Sequence, residues 1–291
     1  MVVQEVVPGV FAATGMVGAN TGLIQTDIGS VLVDAPFVPS QARAWRAEVE
    51  RLSPAGVAYL INTDHHLGHI LGNCYLPTAL TIGHELAWKQ LKALDRSVVV
   101  EKAIEQAHDQ LADLGAQLAD VRIILPQLTV GHTMTLWCGS QSIDILHLGG
   151  HTPGTLAVYL PAHRLLFAGD IVVNGRHPYV GDANSRQWLE ALQKLRTMDL
   201  ETIVPGHGPL AGPEIIDTLY QYLAELRGRV EACFRAGHTR RETVERVKLF
   251  GAFPVAPGDD ERVRRILRSS AERIYDEIKK EASRSRERGA A

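Results

Sequence analysis

The amino-acid sequence predicts an α/β body followed by a wholly helical extension. Three observations carry this. Short apolar runs rich in β-branched residues, closed by glycine turns, recur through residues 1–212. Stretches with apolar residues at helical spacing are interleaved among them. After Pro213 the strand-like runs stop, and helical stripes dominate residues 213–291.

The elements follow in order. Val6 to Ala13, Thr21 to Thr26 and Ser30 to Asp34 read as strands, with Gly15, Gly18 and Gly29 as breaks. Pro39-Ser40 opens a helix on which Trp45, Val49 and Leu52 share a face. Val57 to Asn62 is a buried-strand run that ends directly in Thr63-Asp64-His65-His66. Residues 85–119 are predicted helical, with Ile104, Leu111, Leu114 and Leu118 marking one face. Strands resume at Thr129 to Leu136, Ser142 to Leu148, Thr155 to Leu160 and Arg164 to Ala168. A helix near Arg186 to Met198 and a strand at Thr202 to Val204 complete the body. In the extension, Ile216, Leu219, Leu223, Leu226 and Val230 form a helical stripe. Thr239 and Glu242 have the spacing of a capping box. Val263, Ile266, Leu267, Ile274 and Ile278 mark a last amphipathic helix behind Asp259-Asp260. No internal repeat is visible.

With 291 residues, 45% of them hydrophobic and 22% charged, the chain can bury a large core, which excludes a disordered or fibrous protein. The net charge of −3 supplies no basic field for nucleic acid or anionic lipid, so neither partner is expected. Arg284, Arg286 and Arg288 lie in a Ser/Arg/Gly tail and read as a solvated terminus. Met1 to Val10 carries no Lys or Arg and is interrupted by Pro8-Gly9, so it does not read as a secretory signal. No run approaches the ~18 apolar residues of a membrane span. Cys74, Cys138 and Cys233 form no C-x-x-C pair, so neither a disulfide framework nor a thiolate metal cage is expected, and a reducing cytoplasm fits.

Histidine is the commonest metal ligand, and carboxylates complete harder sites. His65, His66 and His69 fall within five residues, just past a predicted strand end, where ligands converge in α/β folds. Three later segments repeat the pattern. Gly149-Gly150-His151-Thr152-Pro153-Gly154 places a His in a glycine-rich turn between strands. Leu166-Phe167-Ala168-Gly169-Asp170 ends an apolar strand in Asp, and Val204-Pro205-Gly206-His207 ends the next in His. A lone Asp or His at such a place is more often a turn or cap residue. Three successive strand ends, each delivering a metal-competent group beside glycine, point to one site.

On these residues the chain resembles the metallo-β-lactamase superfamily, and the match runs in order through residues 1–212. The family motif is H-x-H-x-D-H, followed by a His, a bridging Asp and a final His. The resemblance implies a four-layer αβ/βα sandwich, with metals at one edge of its two sheets. It makes residues 1–212 the catalytic domain and 213–291 a helical extension. It implies that Asp64, His66 and His151 hold one metal and His69 and His207 a second, with Asp170 bridging. Asp34 resembles the family's Asp at a strand end, which orients a ligand or loop. Two positions depart from the motif. Asp64 stands where the first His is usual, and Gly68, without a side chain, where the Asp is usual. His65 falls on a spacer position, which favours a supporting role over ligation. His84, His108, His132, His147, His163 and His238 have no partner pattern and read as surface or satisfied core histidines. His177-Pro178-Tyr179-Val180-Gly181-Asp182 either lines the cleft or forms a structural loop.

Two divalent metals about 3.5–4 Å apart can share a hydroxide and polarise a carbonyl oxygen. The expected function is therefore a metal-dependent hydrolase, in which hydroxide attacks an ester, thioester, lactone or amide of a small-molecule substrate. Asp64 and Asp170 are its expected catalytic carboxylates. Zinc is expected, one or two ions per chain, and the carboxylate at position 64 also admits manganese or iron. Two alternatives stand beside this: an iron-dependent sulfur dioxygenase-like oxidoreductase, and a non-catalytic metal-binding protein. The apolar stripes of the extension are expected to pack on the sandwich near the cleft or at a homodimer interface.

Overall fold

The computed structural model describes residues 1–78, 80–107, 113–255 and 257–289. His108 and Leu111 lie outside the described residues.

The first sheet has seven strands in sequential order: β1 (Val2–Val7), β2 (Val10–Thr14), β3 (Thr21–Ile24), β4 (Ser30–Val33), β5 (Val57–Ile61), β6 (Leu80–His84) and β7 (Leu128–Val130). β1 to β4 form an antiparallel meander, and β4 to β7 run parallel. Parallel neighbours need crossovers. Helix α1 (Pro39–Leu52) supplies the first, and α2 (Leu67–Ile70) with a 3-10 turn at Leu71–Tyr75 the second. α3 (Glu85–Lys92), α4 (Arg96–Ala107) and α5 (Leu114–Gln117) lie on the third. The second sheet contains β8 (Thr133–Cys138), β9 (Gln141–His147), β10 (Leu156–Leu160), β11 (Leu165–Val173) and β12 (Thr202–His207), in spatial order β12-β11-β10-β9-β8. Helix α6 (Ser185–Arg196) joins the parallel pair β11 and β12. The chain ends in α7 (Glu214–Arg235), α8 (Arg240–Arg246) and α9 (Asp260–Gly289).

The strands are apolar on both sides because both sides are covered. Ile24, Val31, Ile61 and Ile82 of the first sheet meet Ile145, Val158, Phe167 and Val204 of the second. Their neighbours Leu23, Leu32 and Leu60 point the other way, onto Trp45 and Val49 of α1. On the far side, Leu166, Ala168 and Ile203 pack against Trp188, Leu192 and Leu195 of α6. Leu219, Leu223 and Leu226 of α7 and Ala271, Ile274 and Ile278 of α9 continue that core. The result is the four-layer αβ/βα sandwich with C-terminal helices.

Several elements differ from the sequence expectation. Val6 to Ala13 is not one strand. Pro8 and Gly9 turn it into a hairpin, with Gly9 at φ 77°. Thr129 to Leu136 breaks at Gly131-His132, and its halves join different sheets. Ile104 does not mark the buried face of α4. It is 48% exposed, and the small residues Ala103 and Ala107 are buried with Val99 instead. Strand β6 has no counterpart in the sequence expectation, which assigns no element between His69 and residue 85. β11 and β12 extend past the expected ends, so Asp170 and His207 belong to the strands themselves. Among the described residues, no helix is long and apolar enough to cross a membrane.

Candidate metal centre

The expected ligands converge on one carboxylate. Asp170 Oδ2 lies 3.5 Å from His69 Nε2, 3.5 Å from His151 Nε2 and 3.4 Å from His207 Nε2. His66 joins through His151, whose Nε2 is 3.1 Å from His66 Nδ1. Four elements deliver these side chains: α2 and the turn before it, the turn between β9 and β10, strand β11 and the end of β12. Two glycines make the convergence possible. Gly150 sits at φ 85°, and a Cβ there would press on the backbone of Trp188. A Cβ on Gly206 would collide with Asp170 Oδ1 and with the backbone of Gly169.

His69, His66 and Asp64 are each oriented from behind. Asp34 has φ 58°, in the left-handed region where Asp is among the few tolerated residues. Its Oδ1 accepts from the Thr63 amide at 2.8 Å, and its Oδ2 from the Thr63 hydroxyl at 2.6 Å. The same Oδ2 lies 2.9 Å from His69 Nδ1, which turns Nε2 towards Asp170. Asp182 does the corresponding work for His66, with Oδ2 3.0 Å from Nε2. Tyr179 lies edge-on to the His66 ring. His177, from the same loop, turns away and bonds Tyr222 OH at 2.9 Å. So the loop 177–182 reaches the site through Asp182, a role that the sequence does not single out within this segment. A Gly-Asp pair shortly after the Asp170 strand is the only signal it carries.

Asp64 is anchored more fully than a turn residue needs. Its Oδ1 accepts from the amides of His65 and His66 at 2.6 and 3.1 Å. Its Oδ2 accepts from the hydroxyls of Thr155 and Thr152 at 2.9 and 3.1 Å. His65 Nδ1 is 3.2 Å from Oδ1, so Asp64, His65 and His66 form one compact donor group, and His69, Asp170 and His207 another.

This donor set fits divalent cations. His69 Nε2, Asp170 Oδ1, His151 Nδ1 and His207 Nδ1 are buried without a hydrogen-bond partner, an arrangement that is costly unless something else satisfies the site. Burial pushes Asp64 and Asp170 upward, but surrounding imidazoles outweigh it and hold both carboxyls well below the usual range. Burial pushes His69 down, yet Asp34 and Asp170 raise it well above the ordinary imidazole value. Burial brings His151 down to about 4, leaving a neutral ring with a lone pair to give. Two buried anions among histidines therefore favour positive charge at the centre, which protons or metal ions can supply. Gly68 lies inside α2 without positive φ, and no carboxylate stands there.

The family model of the metallo-β-lactamase superfamily matches residues 14–207. The chain belongs to this superfamily. A linear primary-alkylsulfatase of Pseudomonas sp. is 22% identical over 260 residues, covering 78% of this chain and 49% of the relative. A hydroxyacylglutathione hydrolase of Bartonella henselae is 30% identical over 149 residues, covering 49% of this chain and 59% of the relative. The chain thus spans about half the length of these metallo-β-lactamase superfamily relatives. Among solved structures, a metallo-β-lactamase family protein of Thermus thermophilus matches with a TM-score of 0.67 at 18% identity, covering 96% of this chain and 95% of that one. A sec-alkylsulfatase of Pseudomonas sp. matches with a TM-score of 0.70 at 15% identity, covering 94% and 49%. These likenesses show the metallo-β-lactamase fold. Superfamily members typically bind divalent metals, often zinc.

Proposed function

We propose that the protein is a metal-dependent hydrolase of small molecules that cleaves a thioester, ester or lactone in preference to an amide. The observation that carries this is Asp170 Oδ2 within 3.4–3.5 Å of three histidine nitrogens, beside buried polar atoms without protein partners. Asp64, His66 and His151 would hold one ion, and His69 and His207 a second, with Asp170 between them. Zinc suits these nitrogen and oxygen donors, and the Asp64 carboxylate keeps manganese and iron in play. When bound, such metals supply a water acidified to neutral pH and a Lewis acid for the carbonyl oxygen. The protein's own part is orientation. Asp34 fixes His69, Asp182 fixes His66, and Thr152 and Thr155 fix Asp64. Gly68 leaves no carboxylate to manage the proton of a poor leaving group, help worth roughly 10²–10⁴-fold. An amine departs badly without it, whereas a thiolate does not need it.

Within this reading, residues 1–212 are the catalytic unit and residues 213–291 a helical extension that covers its second sheet. A reducing cytoplasm suits the three free cysteines Cys74, Cys138 and Cys233. The test is metal analysis of purified protein, followed by a panel of a thioester, a lactone, a phenyl ester and a β-lactam at matched metal loading. One to two ions per chain and the β-lactam slowest are expected. A β-lactam cleaved fastest would overturn the leaving-group reading.

A second reading rests on His69, Asp170 and His207, because two histidines and one carboxylate form the donor set of non-haem iron oxygenases. Iron in place of zinc, with oxygen consumed in the presence of a persulfide, would favour it.

A further inference from the structure

A cavity of about 140 Å³ lies between the loop after β11 and the start of α9. Gly175, Arg176 and His177 line one side, and Asp259, Arg262, Val263 and Ile266 the other. It adjoins the metal centre through the backbone. Val173 pairs with His207 across the sheet, and the Asn174 amide donates to the His207 carbonyl at 2.9 Å. Arg176 is two residues further on.

The charges in this cavity do not balance. Arg262 Nη2 bonds Asp259 Oδ2 at 2.7 Å, but its Nε is buried without a partner. Arg176 has no carboxylate partner among the described residues. Burial, and then the charge of Arg262, lower the Arg176 guanidinium from its ordinary value against the smaller pull of Asp170 and Asp259, so its positive charge is only partly offset. Val263 and Ile266 give the cavity an apolar wall, which strengthens charge interactions by excluding water. Guanidinium groups match planar or tetrahedral oxyanions with paired hydrogen bonds.

We propose that this cavity is an oxyanion subsite, in which Arg176 and Arg262 hold the carboxylate, sulfate or phosphate end of the molecule whose scissile bond is presented at the metal centre. The substrate class is then an acid with an acyl or ester bond a short distance from its charged end. This rests on the hydrolase reading above, so the test has two arms.

In the first arm, sulfate is titrated against thermal unfolding of the metal-loaded protein, with chloride at matched ionic strength as control. Wild type should gain a saturable rise in Tm from sulfate. Arg176→Gln should lose it, and Asp170→Ala should keep it. Arg176 is the cleaner substitution because, unlike Arg262, it bonds no carboxylate among the described residues, and Arg262→Gln checks the second guanidinium. No saturable rise in wild type, or a rise that survives in Arg176→Gln, overturns the subsite. In the second arm, two thioesters are compared, one ending in a carboxylate and one in the neutral amide. The carboxylate substrate should lose about 10- to 100-fold in kcat/KM in Arg176→Gln, mainly through KM, while the amide is unaffected. Equal losses on both substrates would also overturn the subsite. A sulfate shift abolished by Arg176→Gln, without turnover of either thioester, upholds the anion site and overturns only the hydrolase reading.

Discussion

Asp182 Oδ2 lies 3.0 Å from Nε2 of His66, although 116 positions separate them in the sequence. The contact leaves His66 Nδ1 facing His151 and the centre. A carboxylate behind a ligating imidazole fixes its tautomer and raises its basicity, and losing one typically costs 10–100-fold in metal affinity. Asp182→Ala is therefore expected to weaken metal binding by about that factor. Its side chain is half exposed, so Tm of the metal-stripped protein should stay near wild type. Chelator competition reads the affinity. Wild-type affinity in Asp182→Ala would remove this residue from the site.

Asp170 and Asp64 should separate in metal counting. Asp170→Ala is expected to lower occupancy at both positions, because three histidines surround that one oxygen. Asp64→Ala should empty the first position and also destabilise the fold by about 1–3 kcal/mol, since the Thr152 and Thr155 hydroxyls and two amides lose a buried acceptor. Asp64→Asn keeps most of those bonds and isolates the charge. Full metal content in Asp64→Asn would show Asp64 to be a loop anchor.

The four-layer architecture was legible in the sequence, and the His and Asp residues that the sequence nominates as ligands are ones that the structure gathers into one cluster. Asp64, His66, His69, His151, Asp170 and His207 are nominated by His and Asp types recurring near expected strand ends, most of them close to glycines, and that local pattern does not depend on where each element stops. The supporting contacts were not legible, because they join distant segments. Asp182 meets His66 across 116 positions, and the Gly181-Asp182 pair soon after the Asp170 strand is the one local hint of it. Periodicity misled where packing chose small residues, as with Ala103 and Ala107 over Ile104 on α4. Short strands such as β6 are missed for a different reason: five residues carry too little periodicity to stand out.

Gly68→Asp tests the departure from the family motif directly. A Cβ at this position would find its nearest neighbour, Gln106 Nε2, at 3.6 Å, an ordinary contact, and the backbone is not left-handed. The substitution should therefore fold with wild-type yield. It should tighten the second metal, measured by chelator competition, and raise β-lactam or amide turnover relative to thioester turnover. Unaltered metal affinity in a well-folded variant would show that a carboxylate here cannot reach the centre.

The last prediction concerns His84, at the end of β6. Its Nδ1 accepts from the Leu86 amide at 3.1 Å and so caps α3, while its Nε2 lies 3.0 Å from the Gly131 carbonyl. Accepting at Nδ1 requires a neutral ring, and donating to the Gly131 carbonyl places its one proton on Nε2. The ring also stacks on His147, on the other sheet, with centroids 3.9 Å apart. Burial lowers the His84 value first, and His147 and His132 add to it, against the Gly131 carbonyl and Glu85. The folded value thus lies below the unfolded one of 6.5, so the unfolded chain binds more protons in this window. The contribution of His84 to stability is full above the unfolded value and is lost as pH falls through the folded one. His84→Asn does not titrate and retains a side-chain acceptor that can cap a helix. Wild type should therefore exceed His84→Asn in Tm by the most at about pH 7, and the gap should narrow towards about pH 5. Acid loss of metal affects both proteins alike and cancels in the difference. A gap that stays constant across this range, or widens on acidification, would show that His84 is not the neutral cap that its bond from the Leu86 amide requires.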